Sequence, residues 1–172
     1  MAEQKNIWVL VEYHGTSPTE ASLELLSKGR LLAEELGCEL WALAPEADAD
    51  MIGSIVAHKI WHSPAKTEFL GVNMGKVLAV LLEKAIPGLV LCTMSPQGVE
   101  AAAFLASQAK VLYVPHISGI EHKNGRLHVQ KLLYEGLSQG ICEIPADSTL
   151  ILGCVAEVWG IAHKEMPCET VL

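Results

Sequence analysis

The sequence predicts an α/β domain of three layers, with helices on both faces of a mostly parallel sheet and antiparallel hairpin strands appended in the last third. Two observations support this prediction. Four strand–helix units follow one another over roughly the first 110 residues, and short strands around an Asn-Gly pair then replace them. A chain of 172 residues, 51% of them hydrophobic, is long and apolar enough for one domain with a full core.

The first strand–helix unit opens the chain. Residues 6–13 form an apolar run typical of a strand, and residues 17–20 are Ser-Pro-Thr-Glu, which is the pattern of a capping box. We therefore expect Ser17 at the N-cap of a helix and Pro18 at its first position. Apolar residues at helical spacing continue to Gly37, a residue suited to the left-handed conformation in which many helices end.

The following units repeat this order with shorter elements. Strand and helix alternate over residues 38–44, 50–57, 59–62, 69–85, 89–93 and 98–109. The run at residues 89–93 is apolar throughout, which is typical of a parallel strand buried on both faces. It is followed by Ser95 and Pro96, which are suited to the cap and the first position of the next helix.

The last third of the chain has the pattern of β-strands. Strand candidates at residues 117–121 and 126–133 flank Asn124 and Gly125, the strongest short signal for a type I′ hairpin turn. Two more candidates, residues 139–144 and 149–153, follow, and we expect the whole region to be antiparallel and appended to the parallel sheet.

Composition excludes several classes of function. A net charge of −8 repels phosphate backbones, so nucleic acid is not an expected partner. No apolar run approaches the ~20 residues that a membrane-spanning helix needs, and the first residues do not have the pattern of a signal peptide. We therefore expect a cytoplasmic protein without membrane insertion. The five cysteines include no C-x₂-C pair, and Cys92 and Cys154, in apolar runs, are expected in the core.

Several stretches resemble the N-terminal domain of electron-transfer flavoprotein α subunits. Residues 6–12 form an apolar strand that ends in a glutamate, as in that family. Residues 22–33 match the family pattern S-x-E-L-L-x-x-[GA]-R-x-L-A, and residues 118–127 resemble the family's hairpin. The resemblance implies a sheet of the adenine nucleotide alpha hydrolase kind. It also implies that residues 1–160 form the domain, whereas residues 161–172 show no periodicity and are expected to be a tail that docks a partner or frays.

The resemblance also implies a function. In that family the FAD lies in a C-terminal domain, so we expect no FAD on this chain alone and FAD in a partner or complex. The implied role is that of an α-related subunit that binds partners within an electron-transfer complex and is not a catalyst on its own. Implied partners are a β-type subunit, a separate flavin domain or a second copy. One departure is Val99, which stands where the family has an arginine.

A nucleotide crevice is the alternative. Ligands of open α/β sheets bind at the carboxyl ends of the strands, where the sequence places Glu12, His14, Thr93, Ser95, Gln97 and Gly98. Ser95 and the amides after it either form a helix cap or receive a phosphate, for example that of AMP. No complete phosphate-binding motif supports the second reading.

Histidine and tryptophan residues raise two further hypotheses. His58 and His62 are four residues apart, but in a strand that spacing is about 13 Å, so we expect no metal site. Trp159 follows the last predicted strand and is a candidate anchor of a partner interface. Asn124 and Gly125 of the hairpin turn are further candidates for this interface.

Overall fold

The computed structural model describes residues 5–15, 17–44, 57–61, 71–145, 149–161 and 169–171. The helices in these ranges are α1 (Glu20–Leu36), α2 (Gly71–Lys84) and α3 (Pro96–Ala109). The strands are β1 (Ile7–Leu10), β2 (Tyr13–His14), β3 (Ser17–Pro18), β4 (Leu40–Leu43), β5 (Lys59–Trp61), β6 (Leu89–Thr93), β7 (Leu112–Lys123), β8 (Arg126–Leu133), β9 (Ser138–Pro145), β10 (Leu150–Cys154) and β11 (Glu169–Val171). The predicted helix at residues 50–57 and the predicted strand residue His62 lie outside the described residues, apart from Ala57.

Nine strands form one sheet in the order β11-β5-β4-β1-β6-β10-β7-β8-β9. Neighbouring strands from β11 to β7 are parallel, and β7, β8 and β9 are antiparallel. The core is divided by the sheet: Val9 packs with α1 on one face, whereas Trp8 packs with α2 and α3 on the other. Successive residues of a strand point to opposite faces, so β1 contributes to both layers. The three-layer α/β prediction is confirmed.

The start of α1 corrects the predicted capping box. Thr19, not Ser17, is the N-cap, and its hydroxyl accepts a hydrogen bond from the Ser22 amide. Ser17 and Pro18 instead form β3, which pairs antiparallel with Tyr13 and His14. This small ladder holds Pro18 extended, so the helix begins after it.

Two strands at the C-terminal end also differ from the prediction. β10 pairs parallel with both β6 and β7 and lies inside the sheet, so the antiparallel assignment of residues 149–153 is wrong. All five residues of β10 are buried, as are all five of β6, which is the pattern of a strand covered on both faces. Residues 169–171, predicted as unpatterned tail, pair parallel with β5 as β11.

Other local predictions are confirmed. Asn124 and Gly125 have φ values of 52° and 72°, the left-handed conformations that a type I′ turn requires. α1 ends at Leu36 with Gly37 at φ 65°, and Cys92 and Cys154 are buried in the core. Within the described parts of the chain, no helix combines the length and apolarity needed to cross a membrane.

Candidate functional site

The carboxyl ends of β1 and β6 bring four of the predicted site residues together. β1 and β6 are parallel neighbours, so the residues that follow them meet at the same edge of the sheet. Glu12 Oε1 accepts one hydrogen bond from Thr93 Oγ1 and another from Ser95 Oγ, each 2.7 Å long. Charge-assisted hydrogen bonds of this kind are among the stronger ones in proteins. We call Glu12, Thr93, Ser95 and Gly98, together with Ser22, the Glu12 cluster.

Ser95 joins this cluster to α3. Its φ of −63° and ψ of 159° are those of an N-cap, and its hydroxyl oxygen accepts from the Gly98 amide at 2.9 Å. The Ser95 amide donates to Thr93 Oγ1 at 3.3 Å. The Ser95 hydroxyl therefore both caps the helix and donates to the carboxylate of Glu12, which confirms the cap that the sequence predicts.

The backbone of Glu12 joins the cluster to α1. The Glu12 amide donates to Ser22 Oγ at 2.9 Å, and the Glu12 carbonyl accepts from the Thr19 amide at 2.9 Å. Ser22 is fully buried. The sequence analysis missed Ser22 as a site residue. A serine in the first turn of an amphipathic helix is the signal that could have indicated it, because a buried hydroxyl there needs a partner.

Position 98 requires a glycine because Thr93 and Glu12 approach its Cα closely. A Cβ atom at this position would lie 2.5 Å from the Thr93 carbonyl oxygen and 2.7 Å from Glu12 Oε1. The Glu12 carboxylate thus approaches the first turn of α3, where the helix dipole favours negative charge.

The Glu12 cluster does not fit a phosphate. An anion at the start of α3 would meet the carboxylate of Glu12, and the Ser95 hydroxyl and the Gly98 amide already bond to each other. His14 and Gln97 are exposed, the first in β2 and the second in the first turn of α3. The suggestion that AMP binds here stays a prediction, and these contacts do not favour it.

The loop after β10, residues 155–161, lies at the same edge, since Cys154 at the end of β10 pairs with Thr93. The Glu157 amide donates to Glu24 Oε2 at 2.8 Å, and the Val155 amide donates to the Ile117 carbonyl at 2.9 Å. Glu24 belongs to α1 and is only 9% exposed. A buried acceptor on α1 therefore anchors this loop. Sequence reasoning missed Glu24, a glutamate on the buried side of α1.

Trp159 in this loop is half-buried and packs against the α1 side of the core, whereas its neighbour Val158 is 44% exposed. Asn124 and Gly125 are exposed in their turn, at the other end of the hairpin from Ile117, so they are not part of the Glu12 cluster. The structure therefore places the three predicted interface residues on two separate surfaces.

The remaining reactive groups are occupied or buried. His58 Nδ1 accepts from the Leu40 amide at 2.8 Å, and partial burial, aided by the charge of Arg30, lowers the pKa of His58 below its usual value. Burial raises the pKa of the Cys92 and Cys154 thiols, so neither is a ready nucleophile. The described residues contain no group of three histidine, cysteine or acidic side chains that could hold a metal ion.

Comparison with known proteins agrees with this architecture. The family model described as electron transfer flavoprotein domain matches residues 7–158. The match runs from β1 to the loop after β10 and includes the whole Glu12 cluster. A search of curated proteins found no match.

Proposed function

Because the chain belongs to the electron transfer flavoprotein domain family, we propose that it is an α-related, partner-binding module of a flavin electron-transfer complex in which another polypeptide or domain holds the FAD. The observation that most directly supports FAD being held elsewhere is the Glu12 cluster, which occupies the edge of the sheet where open α/β sheets take a ligand. FAD in such a complex would accept and pass on electrons. The residues of this chain bind and orient the partner.

The loop after β10 is the proposed docking surface. Its Glu157 amide is held by the buried Glu24 carboxylate, so little conformational freedom is lost when a partner binds. It presents Val158, 44% exposed, beside Trp159. Tryptophan is enriched among the residues that contribute most to interface affinity. The proposed partner is a β-type subunit or a separate flavin domain.

The test is purification of the tagged chain from its own cells, with mass analysis and a visible spectrum of the product. We expect a partner in equal amount and flavin absorption that elutes with it. Val158→Glu should lower recovery of the partner about tenfold or more, because a charge would be desolvated in the interface. Leu31→Glu is the matched control, since Leu31 on α1 is 53% exposed and lies outside the loop.

A chain that is colourless and without a partner would contradict the proposal, as would flavin that stays on the chain after the partner is removed. Titration of the purified chain with AMP and ATP separates it from the nucleotide-binding alternative. We expect no saturation. Saturable binding that Ser95→Asp weakens would instead show that the crevice receives a phosphate and would favour a nucleotide-binding regulator.

A further inference from the structure

The two edges of the nine-stranded sheet differ in length. β11 at one edge has three residues, whereas β9 at the other has eight. β9 pairs with β8 over eight consecutive residues without a register shift, and among the described residues it pairs with no other strand. The outward backbone groups of such a strand are available to another strand.

β9 also has little of the protection that edge strands usually have. It contains no lysine or arginine, its one charged residue is Glu143, and its proline, Pro145, is at its end. Charges, internal prolines and bulges are the usual means by which an edge strand avoids pairing. Ile141 on this strand is 67% exposed, and Leu137 in the preceding turn is 90% exposed.

We propose that β9 is a self-association edge, at which β9 of a second copy pairs antiparallel with it around a two-fold axis. The two antiparallel arms, each made of β7, β8 and β9, then form one continuous six-stranded sheet. The proposal does not depend on the flavin role of the chain, because it uses a different surface from the loop after β10.

The pairing has a defined register. A two-fold axis perpendicular to the sheet keeps each residue on its own face, so a residue can pair only with one of the same face. Pairing Ile141 with Ile141 of the second copy buries both exposed side chains and places Glu143 opposite Gln139, an uncharged residue whose side-chain amide donates to Ser118 and Gln130 of its own arm. Shifting the centre to Cys142 would place Glu143 against Ile141, and shifting it to Glu143 would place two carboxylates together.

The ends of the two arms also match in this register. Pro145 at the end of β9 in one copy lies beside the turn that precedes β9 in the other, where Leu137 is the most exposed leucine of the described residues. Because of the two-fold axis this contact occurs twice, once on each side of the Ile141 pair.

Analytical ultracentrifugation of the purified full chain tests the association. We expect a concentration-dependent dimer for the wild type and a tenfold or greater loss of association for Ile141→Lys, since lysines on an edge strand oppose pairing. Val80→Lys is the matched control, because Val80 is 55% exposed and lies on α2. This helix packs on the part of the sheet around β1 and β6, away from β9. The Val80→Lys variant should dimerise as the wild type does.

Disulfide trapping tests the register. In a Cys142→Ser background, Ile141→Cys should form a disulfide-linked dimer under mild oxidation, because directly opposed residues have Cα atoms about 4.5–5.5 Å apart. Gln139→Cys should not, because the two copies of residue 139 are then four residues apart along the strands, about 14 Å. Gln139 is also exposed on β9.

These measurements decide whether β9 mediates self-association. A dimer that Ile141→Lys dissociates, Val80→Lys retains and Ile141→Cys traps supports the proposal. A wild-type monomer at all concentrations overturns it, as does a dimer that survives Ile141→Lys. Trapping by Gln139→Cys with equal efficiency overturns the register. These results are obtained without flavin or partner, so they are distinct from those of the purification experiment.

Discussion

The Glu12 cluster and the β9 edge show opposite ways of treating polar groups. In the cluster, the carboxylate of Glu12 accepts from Thr93 and Ser95, and its amide donates to Ser22. At the β9 edge, a row of backbone groups faces outward with no described partner. At the carboxyl ends of β1 and β6, polar groups of the chain are paired with one another, whereas the outer strand of the appended arm leaves backbone groups open to a partner.

The two regions owe this difference to their neighbours. β1 and β6 lie inside the sheet, and helices begin close to their ends, so the polar groups of the Glu12 cluster are partly or fully shielded from water and are paired with one another. β9 lies at the outside of the sheet, where water can satisfy its outward groups. The stability of the protein should therefore depend on the first region and its association on the second.

Gly98→Ala should give the largest effect. The added Cβ would lie 2.5 Å from the Thr93 carbonyl oxygen, and because this is backbone the chain must shift. We expect a loss of about 3 kcal/mol in the free energy of unfolding, measured with urea. Gly140→Ala on β9 is the control, since its nearest neighbour is the flexible end of Leu133 at 3.3 Å. A smaller loss at Gly98 than at Gly140 would contradict the comparison.

Glu12→Ala should give the second largest effect. We expect the free energy of unfolding to fall by about 2 kcal/mol, because the hydroxyls of Thr93 and Ser95 lose their acceptor. Glu12→Gln keeps one oxygen acceptor and should lose less, about 1 kcal/mol. Thermal or urea unfolding measures both. Glu143→Ala removes a carboxylate from the open edge and should change stability by no more than about 0.5 kcal/mol. Equal losses for Glu12→Ala and Glu143→Ala would refute the distinction.

Gly125→Ala should have a moderate effect confined to the arm. Gly125 has φ 72°, a conformation that costs a residue with a Cβ atom about 1 kcal/mol. Hydrogen exchange should report faster opening of β7 and β8 with little change in β1 and β6. Lys123→Ala beside the turn removes only a surface ion pair with Glu121 and should stay within about 0.5 kcal/mol. If exchange accelerates equally in β1 and β6, the arm is not an independent region.

His58 should give the smallest effect, seen as a dependence on pH. Partial burial lowers the pKa of His58 below its ordinary value of 6.5, so the unfolded chain takes up the proton first as pH falls. The stability that this residue contributes is complete above pH 6.5 and falls as the pH drops from there to the lowered pKa.

His58→Asn should flatten this part of the stability profile. His14→Asn is the control, because His14 is exposed. Urea unfolding at a series of pH values measures both variants, and a slope unchanged in His58→Asn would show that another group is responsible.

Several features of the fold follow from local patterns. The apolar run of β6 indicated a strand buried on both faces, and the Asn124-Gly125 pair indicated a type I′ turn, because both depend on neighbouring residues alone. The cap at Ser95 was predictable for the same reason. Ser17 shows the limit of such reasoning, since its capping-box pattern was overridden by the pairing of β3 with β2.

The candidate site was only partly predictable. Glu12, Thr93, Ser95 and Gly98 were found because a rule about the carboxyl ends of parallel strands places them together. That Glu12 would accept from both Thr93 and Ser95 depends on hydrogen bonds between residues more than 80 positions apart in the chain. Ser22 and Glu24 were missed because each accepts from a backbone amide, that of Glu12 and that of Glu157 respectively. Every residue except proline has such an amide, so no residue type in the sequence marks these partners.

The layers, the nature of most elements and the family could be predicted without the structure, since they follow from the period of apolar residues and from motifs with local causes. The three-dimensional structure was needed to place β10 and β11 in the sheet, to show which polar groups meet at the ends of β1 and β6, and to identify β9 as the outer strand. These outcomes depend on which distant segments pair, and the energy of such pairing is shared among many contacts that no local pattern contains.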